Sequence, residues 1–440
     1  MKRFLLIAAG MLLCAAAWGQ KFIDDVVLSL ANSTEGIYAK GDTIIIFAES
    51  AEMKDAVFQV YINGKVLEKY PATIQAGKSE VFRAVYDEPT ALMLRVSNPE
   101  NKDDNTMIGA IVAPEEFQPG FEEPADFKSF WDNELKKMRK MKMKAKLTPV
   151  EAPERDRGKI ECWHLDINCI GGAPVSAYLA IPVDAKPGTL PICISLHSAG
   201  KITKPTVRSN LKMAVKMAKY GGGAIGLDIN AIGMRDDADE SYYEELQKSI
   251  GGYASQLITT HDEYFFHGMF LRLARALDYL CSRPEWDGKR VMVTGGSQGG
   301  AQSAAIAGLD SRVTHVVVRV PAMWDMGGKL ADRSSAWPKP LERNKDNPEA
   351  AKLASYYDGS NFMRYFTGKL YVNVGLIDTT CPPASVWSVF NVCPAASKEI
   401  HACPWLGHGK YSLPAEKGKE VKRGMDRRME DACKTFMLEE

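Results

Sequence analysis

The sequence predicts a small β-sandwich followed by an α/β domain with a mostly parallel sheet. Between residues 24 and 113, short strand-like runs follow one another without an intervening helix, which is typical of an immunoglobulin-like sandwich. Beyond residue 124, buried apolar runs alternate with helical patterns, which predicts parallel strands covered by helices on both faces. The predicted organisation is therefore a sandwich at 20–113, a linker at 114–123 and an α/β domain at 124–440.

The first residues of the chain have the pattern of a secretory signal peptide. A basic start, Met1–Arg3, precedes an almost entirely apolar run, and Ala17 and Gly19 are the small residues that a signal peptidase recognises. The apolar run is shorter than the ~20 residues of a membrane-spanning helix, which disfavours a membrane anchor. We predict a signal peptide at 1–19 and a soluble, exported mature protein, periplasmic or secreted.

The charge balance disfavours a nucleic-acid-binding protein, and the cysteine and histidine spacing disfavours a metal site. The chain has 55 basic and 55 acidic residues, without the basic stripe that nucleic-acid binding requires. Of the cysteines that follow the signal peptide, Cys193 and Cys281 lie in apolar patterns and are predicted to be buried free thiols. For Cys381 and Cys403, a disulfide between the two is an alternative to free thiols. The sequence contains no Cys-x-x-Cys pair and no His-Glu-x-x-His motif, so we expect neither a metal site nor a cofactor.

The sandwich is predicted from its strand and turn signals. Strand-like runs at Val57–Ile62 and Lys65–Leu67 flank Asn63-Gly64, and Asn-Gly favours the type I′ turn of a tight hairpin. This half of the chain carries no group of catalytic side chains. We interpret it as a packing or spacer module in preference to a sugar-binding module. Its other strands are expected at 43–47, 81–86, 91–96 and 107–112.

The α/β domain is predicted from hydrophobic periodicity. It begins with a helix at 127–142, where large apolar side chains recur at helical spacing. Later helices are expected at 211–220, 266–281 and 298–309. Strands are expected at 160–169, 175–181, 191–196, 224–228, 290–294, 313–320, 370–376 and 399–403.

A Gly-x-Ser-x-Gly motif lies between a predicted strand and a predicted helix. Gly295, Ser297 and Gly299 follow a buried strand and open a helix of small residues. In a nucleophile elbow the serine has strained backbone geometry, and its neighbours are glycines because strand and helix approach closely. The motif alone is a weak signal, but its position between these two elements predicts that Ser297 is a nucleophile.

The partners of such a serine are expected further along the chain. A hydroxyl needs a base to take its proton and an acid to orient that base, and α/β-hydrolases carry them in the order Ser, acid, His. Asp378 and His408 each follow a predicted strand, and of the seven histidines only His408 lies after the acid on a glycine-flanked loop. The sequence therefore predicts an α/β-hydrolase fold with Ser297, Asp378 and His408 as the catalytic triad.

The remaining site residues are predicted from their positions on loops. The backbone N–H groups of Gln298 and Ala199 are the expected oxyanion-hole donors, and His197 is expected to brace the loop that contains Ala199. Tryptophans on loops near the sheet edge are candidates for stacking on a sugar ring, with core packing as the alternative. They are Trp324, Trp337 and Trp405.

The motifs also resemble one family. Gly295–Gly300 and Gly375–Pro383, together with Pro124–Trp131, resemble the acetyl xylan esterase and cephalosporin C deacetylase family, carbohydrate esterase family seven. The resemblance extends from about residue 124 to the C-terminus. It implies a serine esterase that removes acetyl groups from sugar hydroxyls, in a homo-oligomer. It also assigns the triad and the oxyanion donors to the residues named above.

The sequence departs from that family in three places. Asn230-Ala231-Ile232 replaces the usual Arg-Gly-Gln, Gly409 replaces the glutamate after the histidine, and Ala199 replaces an aromatic residue. These departures concern assembly and specificity rather than the triad. The alternatives are an aryl or feruloyl esterase or a peptidase on the same scaffold, and a non-catalytic glycan-binding protein.

Overall fold

The computed structural model describes residues 22–256, 259–344 and 347–438. The predicted signal peptide at 1–19 lies outside these residues, so export stays a prediction. Among the helices that the structure describes, none combines the length and the apolar character required to cross a bilayer.

The N-terminal unit is a sandwich of two sheets. In the described part of the chain its sheets have the strand orders β1-β3-β6 and β2-β8-β7-β4-β5, and all pairs except β2 with β8 are antiparallel. Alternate residues of β3 are buried, as expected for a strand with one face on a core. The strands are β1 (Val26–Leu30), β2 (Ile37–Tyr38), β3 (Thr43–Ser50), β4 (Lys54–Ile62), β5 (Lys65–Ile74), β6 (Gly77–Val85), β7 (Thr90–Ser97) and β8 (Asn105–Val112).

The predicted hairpin is present between β4 and β5. Asn63 and Gly64 have φ values of 52° and 82°, the positive values that a type I′ turn requires at both central positions. Ile62 pairs with Lys65 across the turn. The turn chemistry therefore determines the pairing next to the turn, whereas a bulge between Val60 and Tyr61 shifts the register of the remaining residues. The predicted sandwich is confirmed.

The second sheet is mixed, with a large parallel part. Its order among the described residues is β17-β16-β15-β14-β12-β13-β11-β10-β9. Neighbours from β17 to β13 are parallel, whereas β11, β10 and β9 add antiparallel strands at one edge. The strands are β9 (Ala145–Val150), β10 (Ile160–Ile167), β11 (Val175–Pro182), β12 (Leu190–Leu196), β13 (Ile225–Ile229), β14 (Trp286–Gly296), β15 (His315–Arg319), β16 (Lys369–Gly375) and β17 (Ser397–Cys403).

Helices cover both faces of this sheet. Helices α5 and α6 belong to the large core cluster, whereas α11 packs through Phe436 and Met437 on a separate cluster that includes Cys193 and Met292 of the strands. The helices are α1 (Phe22–Asp25), α2 (Phe127–Lys140), α3 (Leu211–Met217), α4 (Glu240–Ile250), α5 (Phe265–Leu280), α6 (Gln298–Leu309), α7 (Pro340–Arg343), α8 (Pro348–Ser355), α9 (Gly359–Met363), α10 (Pro383–Val392) and α11 (Ala415–Leu438).

The segment between the two units is packed rather than extended into solvent. Phe117 and Phe121 are buried in the large core of the α/β domain, and the N–H of Gly120 donates to the Asp325 carboxylate at 2.7 Å. The domain boundaries remain a prediction from the sequence. The structure adds that this connecting segment contributes Phe117 and Phe121 to the hydrophobic core.

All cysteines that the structure describes are free thiols; Cys193 is buried as predicted, whereas Cys281 is only partly buried. The alternative of a disulfide between Cys381 and Cys403 is therefore wrong for this structure. Both of these side chains are buried, and burial raises the pKa of each thiol.

Candidate active site

Ser297 occupies a strained turn between β14 and α6. Its φ of 53° and ψ of −121° lie outside the regions that non-glycine residues commonly adopt. Backbone hydrogen bonds hold this conformation: Ser297 N donates to Arg319 O at 3.0 Å, and Ser297 O accepts from Gly300 N and Ala322 N, each at 2.9 Å. Such strain persists only where the surroundings fix it, and it is typical of a functional residue.

The two glycines of the motif are explained by close backbone approach. A Cβ atom at Gly295 would lie 2.7 Å from the carbonyl carbon of Gly299, and one at Gly299 would lie 2.3 Å from Leu196 O. Real Cβ atoms do not approach backbone so closely, so any other residue would push α6 away from the sheet. The Gly-x-Ser-x-Gly spacing is therefore required by the packing of α6 against β12 and β14.

The structure brings together the three residues predicted as a triad. Ser297 Oγ lies 2.8 Å from His408 Nε2, and His408 Nδ1 lies 2.8 Å from Asp378 Oδ2. The Asp378 side chain is fully buried, whereas 29% of the His408 side chain is exposed. The second oxygen of the Asp378 carboxylate, Oδ1, accepts hydrogen bonds from the backbone N–H groups of Thr380 and Cys381 at 2.8 and 2.9 Å. These bonds orient the carboxylate toward the imidazole, an arrangement suited to acyl transfer through a serine nucleophile.

The predicted oxyanion donors belong to segments next to the serine. Gln298 is the first residue of α6, so its N–H has no acceptor within the helix, and the positive end of the helix dipole lies there. The loop that contains Ala199 is held beside the elbow because Ser198 Oγ donates to Gly296 O at 2.9 Å. Sequence reasoning did not identify Tyr253, whose hydroxyl donates to the Gln298 side chain at 2.5 Å.

A second histidine–aspartate pair, His197 and Asp228, supports the same loop. His197 Nε2 lies 2.6 Å from Asp228 Oδ1, and the backbone N–H of Asn210 donates to that same oxygen at 2.6 Å. Burial alone would lower the pKa of His197, but the hydrogen bond and charge of Asp228 outweigh it and raise the pKa. The side chain therefore braces the loop as expected. The sequence signal for its partner was available, because His197 directly follows β12 and Asp228 lies near the carboxyl end of the adjacent parallel strand β13.

Near this pair, Asp236 makes stability dependent on pH. Its Oδ1 accepts the Ser209 N–H at 2.9 Å, its Oδ2 is buried without a hydrogen-bond partner among the described residues, and burial raises its pKa to about 7. An unfolded aspartate has a pKa of about 3.9, so the folded state retains a proton that the unfolded state has lost. Stability is then lost as pH rises from about 4 to about 7.

Replacing Asp236 with asparagine should remove this penalty, because an amide is neutral at every pH. We expect the Tm of the wild type to fall between pH 5 and 8 by several degrees more than that of the Asp236→Asn variant. His197 also loses stabilising charge as pH rises, but it does so in both proteins. Asp237→Asn, at an exposed neighbour, is the control and should follow the wild type in thermal melts. Parallel curves for all three proteins would contradict the assignment.

The structure overturns one of the three tryptophan predictions and gives a second tryptophan another contact. Trp324 has no exposed surface and lies in the main hydrophobic core, so the prediction that it contacts sugar is wrong. The indole N–H of Trp405 donates to Leu28 O of the sandwich at 2.8 Å, and its ring packs on the sandwich core. We therefore reassign Trp405 to the contact between the two units. Trp337 is half-buried beside the acid loop, where its backbone N–H donates to Thr380 O at 2.8 Å, and its sugar-binding role stays a prediction.

The model of the family described as acetyl xylan esterase (AXE1) matches residues 113–419, a range that contains Ser297, Asp378 and His408. The chain belongs to the acetyl xylan esterase family. Acetyl esterase Axe7A from Xylanibacter ruminicola is 31% identical over 333 residues, which cover 74% of this chain and 73% of that protein. The resemblance predicted from the motifs is confirmed, and the esterase is a carboxylic ester hydrolase.

Two solved acetyl xylan esterases share the fold of this esterase. The enzyme from Paenibacillus sp. R4 has a TM-score of 0.58 at 23% identity, with 72% of this chain and 98% of that chain covered. Acetyl xylan esterase 1 from Thermoanaerobacterium sp. JW/SL YS485 has a TM-score of 0.54 at 23% identity, with 72% and 97% covered. These similarities confirm the predicted α/β-hydrolase fold.

Proposed function

We propose that this esterase removes acetyl groups from the hydroxyls of acetylated carbohydrate, with Ser297 as nucleophile, His408 as general base and Asp378 as orienting acid. The observation that carries the proposal is the continuous hydrogen-bonded series from Asp378 to Ser297, with both distances at 2.8 Å. The substrate class is supported by the relatives, which are an acetyl esterase and acetyl xylan esterases.

The first half-reaction forms an acetyl-enzyme. Ser297 Oγ attacks the ester carbonyl carbon while its proton passes to His408 Nε2, and the carbonyl oxygen becomes an oxyanion. The N–H groups of Gln298 and Ala199 stabilise that charge. The tetrahedral intermediate then collapses, the bond to the sugar oxygen breaks, and His408 returns the proton to that oxygen.

The second half-reaction releases acetate. Water attacks the acetyl-enzyme as His408 Nε2 takes a proton from it, and the new tetrahedral intermediate expels Ser297 Oγ, which regains that proton from His408. Asp378 remains ionised throughout, because its role is to hold the imidazole tautomer whose Nε2 accepts a proton. All proton transfers are thus assigned to residues of the triad.

The acyl preference tests this proposal. We expect turnover of p-nitrophenyl acetate to exceed that of the butyrate and longer esters by at least about tenfold, because a deacetylase pocket excludes added methylenes. Release of acetate from acetylated xylo-oligosaccharides should then follow, measured enzymatically. A preference for bulky aromatic acyl groups would favour an aryl or feruloyl esterase instead. Turnover that persists unchanged in Ser297→Ala would overturn the proposed mechanism.

Two further properties are proposals that rest on the sequence alone. We retain export to the periplasm or medium because of the signal-peptide pattern, and assembly as a homo-oligomer because of the family resemblance.

Trp337 is the aromatic residue that we retain as a sugar contact, since it is half-buried and adjacent to the acid loop.

A further inference from the structure

The catalytic histidine lies in a short hairpin, residues 405–412, which we call the histidine hairpin. At its open end, where it joins the rest of the chain, Ser412 N donates to Trp405 O at 2.8 Å, and Leu406 and Tyr411 form an antiparallel bridge. Nearer the tip, Gly407 N donates to Lys410 O at 2.8 Å. The position of the open end of the hairpin therefore determines where the imidazole of His408 points.

The sandwich forms hydrogen bonds to both strands at the open end of the hairpin. On one side, the indole N–H of Trp405 donates to Leu28 O in β1 at 2.8 Å. On the other, the buried Ser412 hydroxyl accepts the N–H of Met107 in β8 at 2.6 Å, and it lies 3.4 Å from the Thr106 hydroxyl. Buried polar contacts of this kind are costly to break, because each leaves a group without a partner.

Strand β8 also contacts the segments that lead to the histidine and the acid. Gly109 N donates to Pro404 O at 2.8 Å, immediately before the hairpin. A Cβ atom at Gly109 would lie 2.4 Å from Leu376 O, two residues before Asp378. The glycine thus allows the sandwich to approach both catalytic loops directly, which a flexibly tethered spacer would not require.

We propose that the N-terminal sandwich positions the catalytic histidine, with Trp405 and Ser412 as positioning residues that act through His408. The inference rests on the proposed role of His408 as general base. Proton transfer depends on alignment, and a displacement of about 1 Å can lower a rate about 100-fold. The sandwich is therefore a structural part of the active site rather than a separate module.

The test uses the full-length enzyme with p-nitrophenyl acetate as substrate. We expect Ser412→Ala and Trp405→Phe to lower kcat by about 10- to 100-fold while KM changes by less than about threefold, because alignment rather than binding is lost. The pH profile of kcat/KM should also differ from that of the wild type, because the hydrogen bond between His408 and Asp378 is disturbed. Ser412→Thr keeps the hydroxyl and should restore most of kcat.

Ser50→Ala is the matched control. Ser50 is a buried serine of the same sandwich, but its hydroxyl donates to Glu52 O at 2.8 Å within the sandwich. We expect this variant to lose stability without a change in kcat or in the pH profile. Hydrogen exchange of peptides that cover residues 404–412 should accelerate in Ser412→Ala and Trp405→Phe but not in Ser50→Ala.

The outcomes separate the two proposals. An active wild type whose kcat and pH profile are unchanged in both hairpin variants would overturn the positioning role alone. The same conclusion would follow if both variants merely matched Ser50→Ala. Absence of Ser297-dependent turnover in the wild type would overturn the proposed function together with the inference that rests on it.

Discussion

Replacing Ser297 with alanine is expected to lower kcat by a factor of about 10⁴ to 10⁶, because the acyl-enzyme can no longer form. KM should change little, since the hydroxyl is a small part of the contact with substrate. Initial rates on p-nitrophenyl acetate and on acetylated xylo-oligosaccharide measure the effect. The strain at Ser297 is a property of its backbone, so alanine should occupy the same turn and the protein should remain folded.

The matched control for that variant is Ser303→Ala. Ser303 is a fully buried serine of the same helix, and its hydroxyl donates to Gly299 O at 2.8 Å. This substitution should leave kcat within a few-fold of the wild type. If the two alanine variants were equally active, Ser297 would not be the nucleophile.

Replacing Asp378 with asparagine is expected to lower kcat by about 10⁴-fold, through the tautomer of His408. The Oδ1 position of Asp378 accepts two backbone N–H groups, so the carbonyl oxygen of an asparagine would be held there. Its NH₂ group would then face His408 Nδ1 and donate to it. The proton of the neutral imidazole would move to Nε2, the atom that must accept the proton of Ser297.

This loss should occur with little change in the folded structure, because asparagine has the shape of aspartate. Steady-state kinetics, with a thermal melt alongside, separates the two effects. Asp332→Asn, at an exposed carboxylate that pairs with Lys65, is the control and should retain full activity. A kcat reduced by less than about tenfold in Asp378→Asn would show that the carboxylate does not set the tautomer.

The triad could be predicted from the sequence because each member has a local signal. Ser297 lies in a glycine motif that a strand and a helix enclose, and both glycines prove to be required sterically. Asp378 and His408 both follow parallel strands, β16 and β17, which are neighbours in the sheet. Since carboxyl ends of neighbouring parallel strands meet at one edge, chain order and strand position were sufficient to bring the residues together.

Other features could not be predicted because they depend on contacts distant in sequence. Met107 and Ser412 are 305 residues apart, and neither has a local pattern that indicates the other. The sequence likewise does not distinguish Trp324, which is fully buried, from Trp337, which is half-buried, because burial of an aromatic ring is decided by tertiary packing. The strand β9 was missed because its residues are mostly exposed and it extends an antiparallel edge.

Labelling with a serine-directed fluorophosphonate tests the central claim most directly. The tryptic peptide that follows Arg290 and ends at Arg312 contains Ser297, Ser303 and Ser311, so fragment-ion mass spectrometry must locate the adduct. We predict one phosphonyl group per chain, attached to Ser297, and none in the Ser297→Ala variant. A wild-type protein that stays unlabelled while it hydrolyses acetyl esters, or an adduct on another residue, would contradict the account.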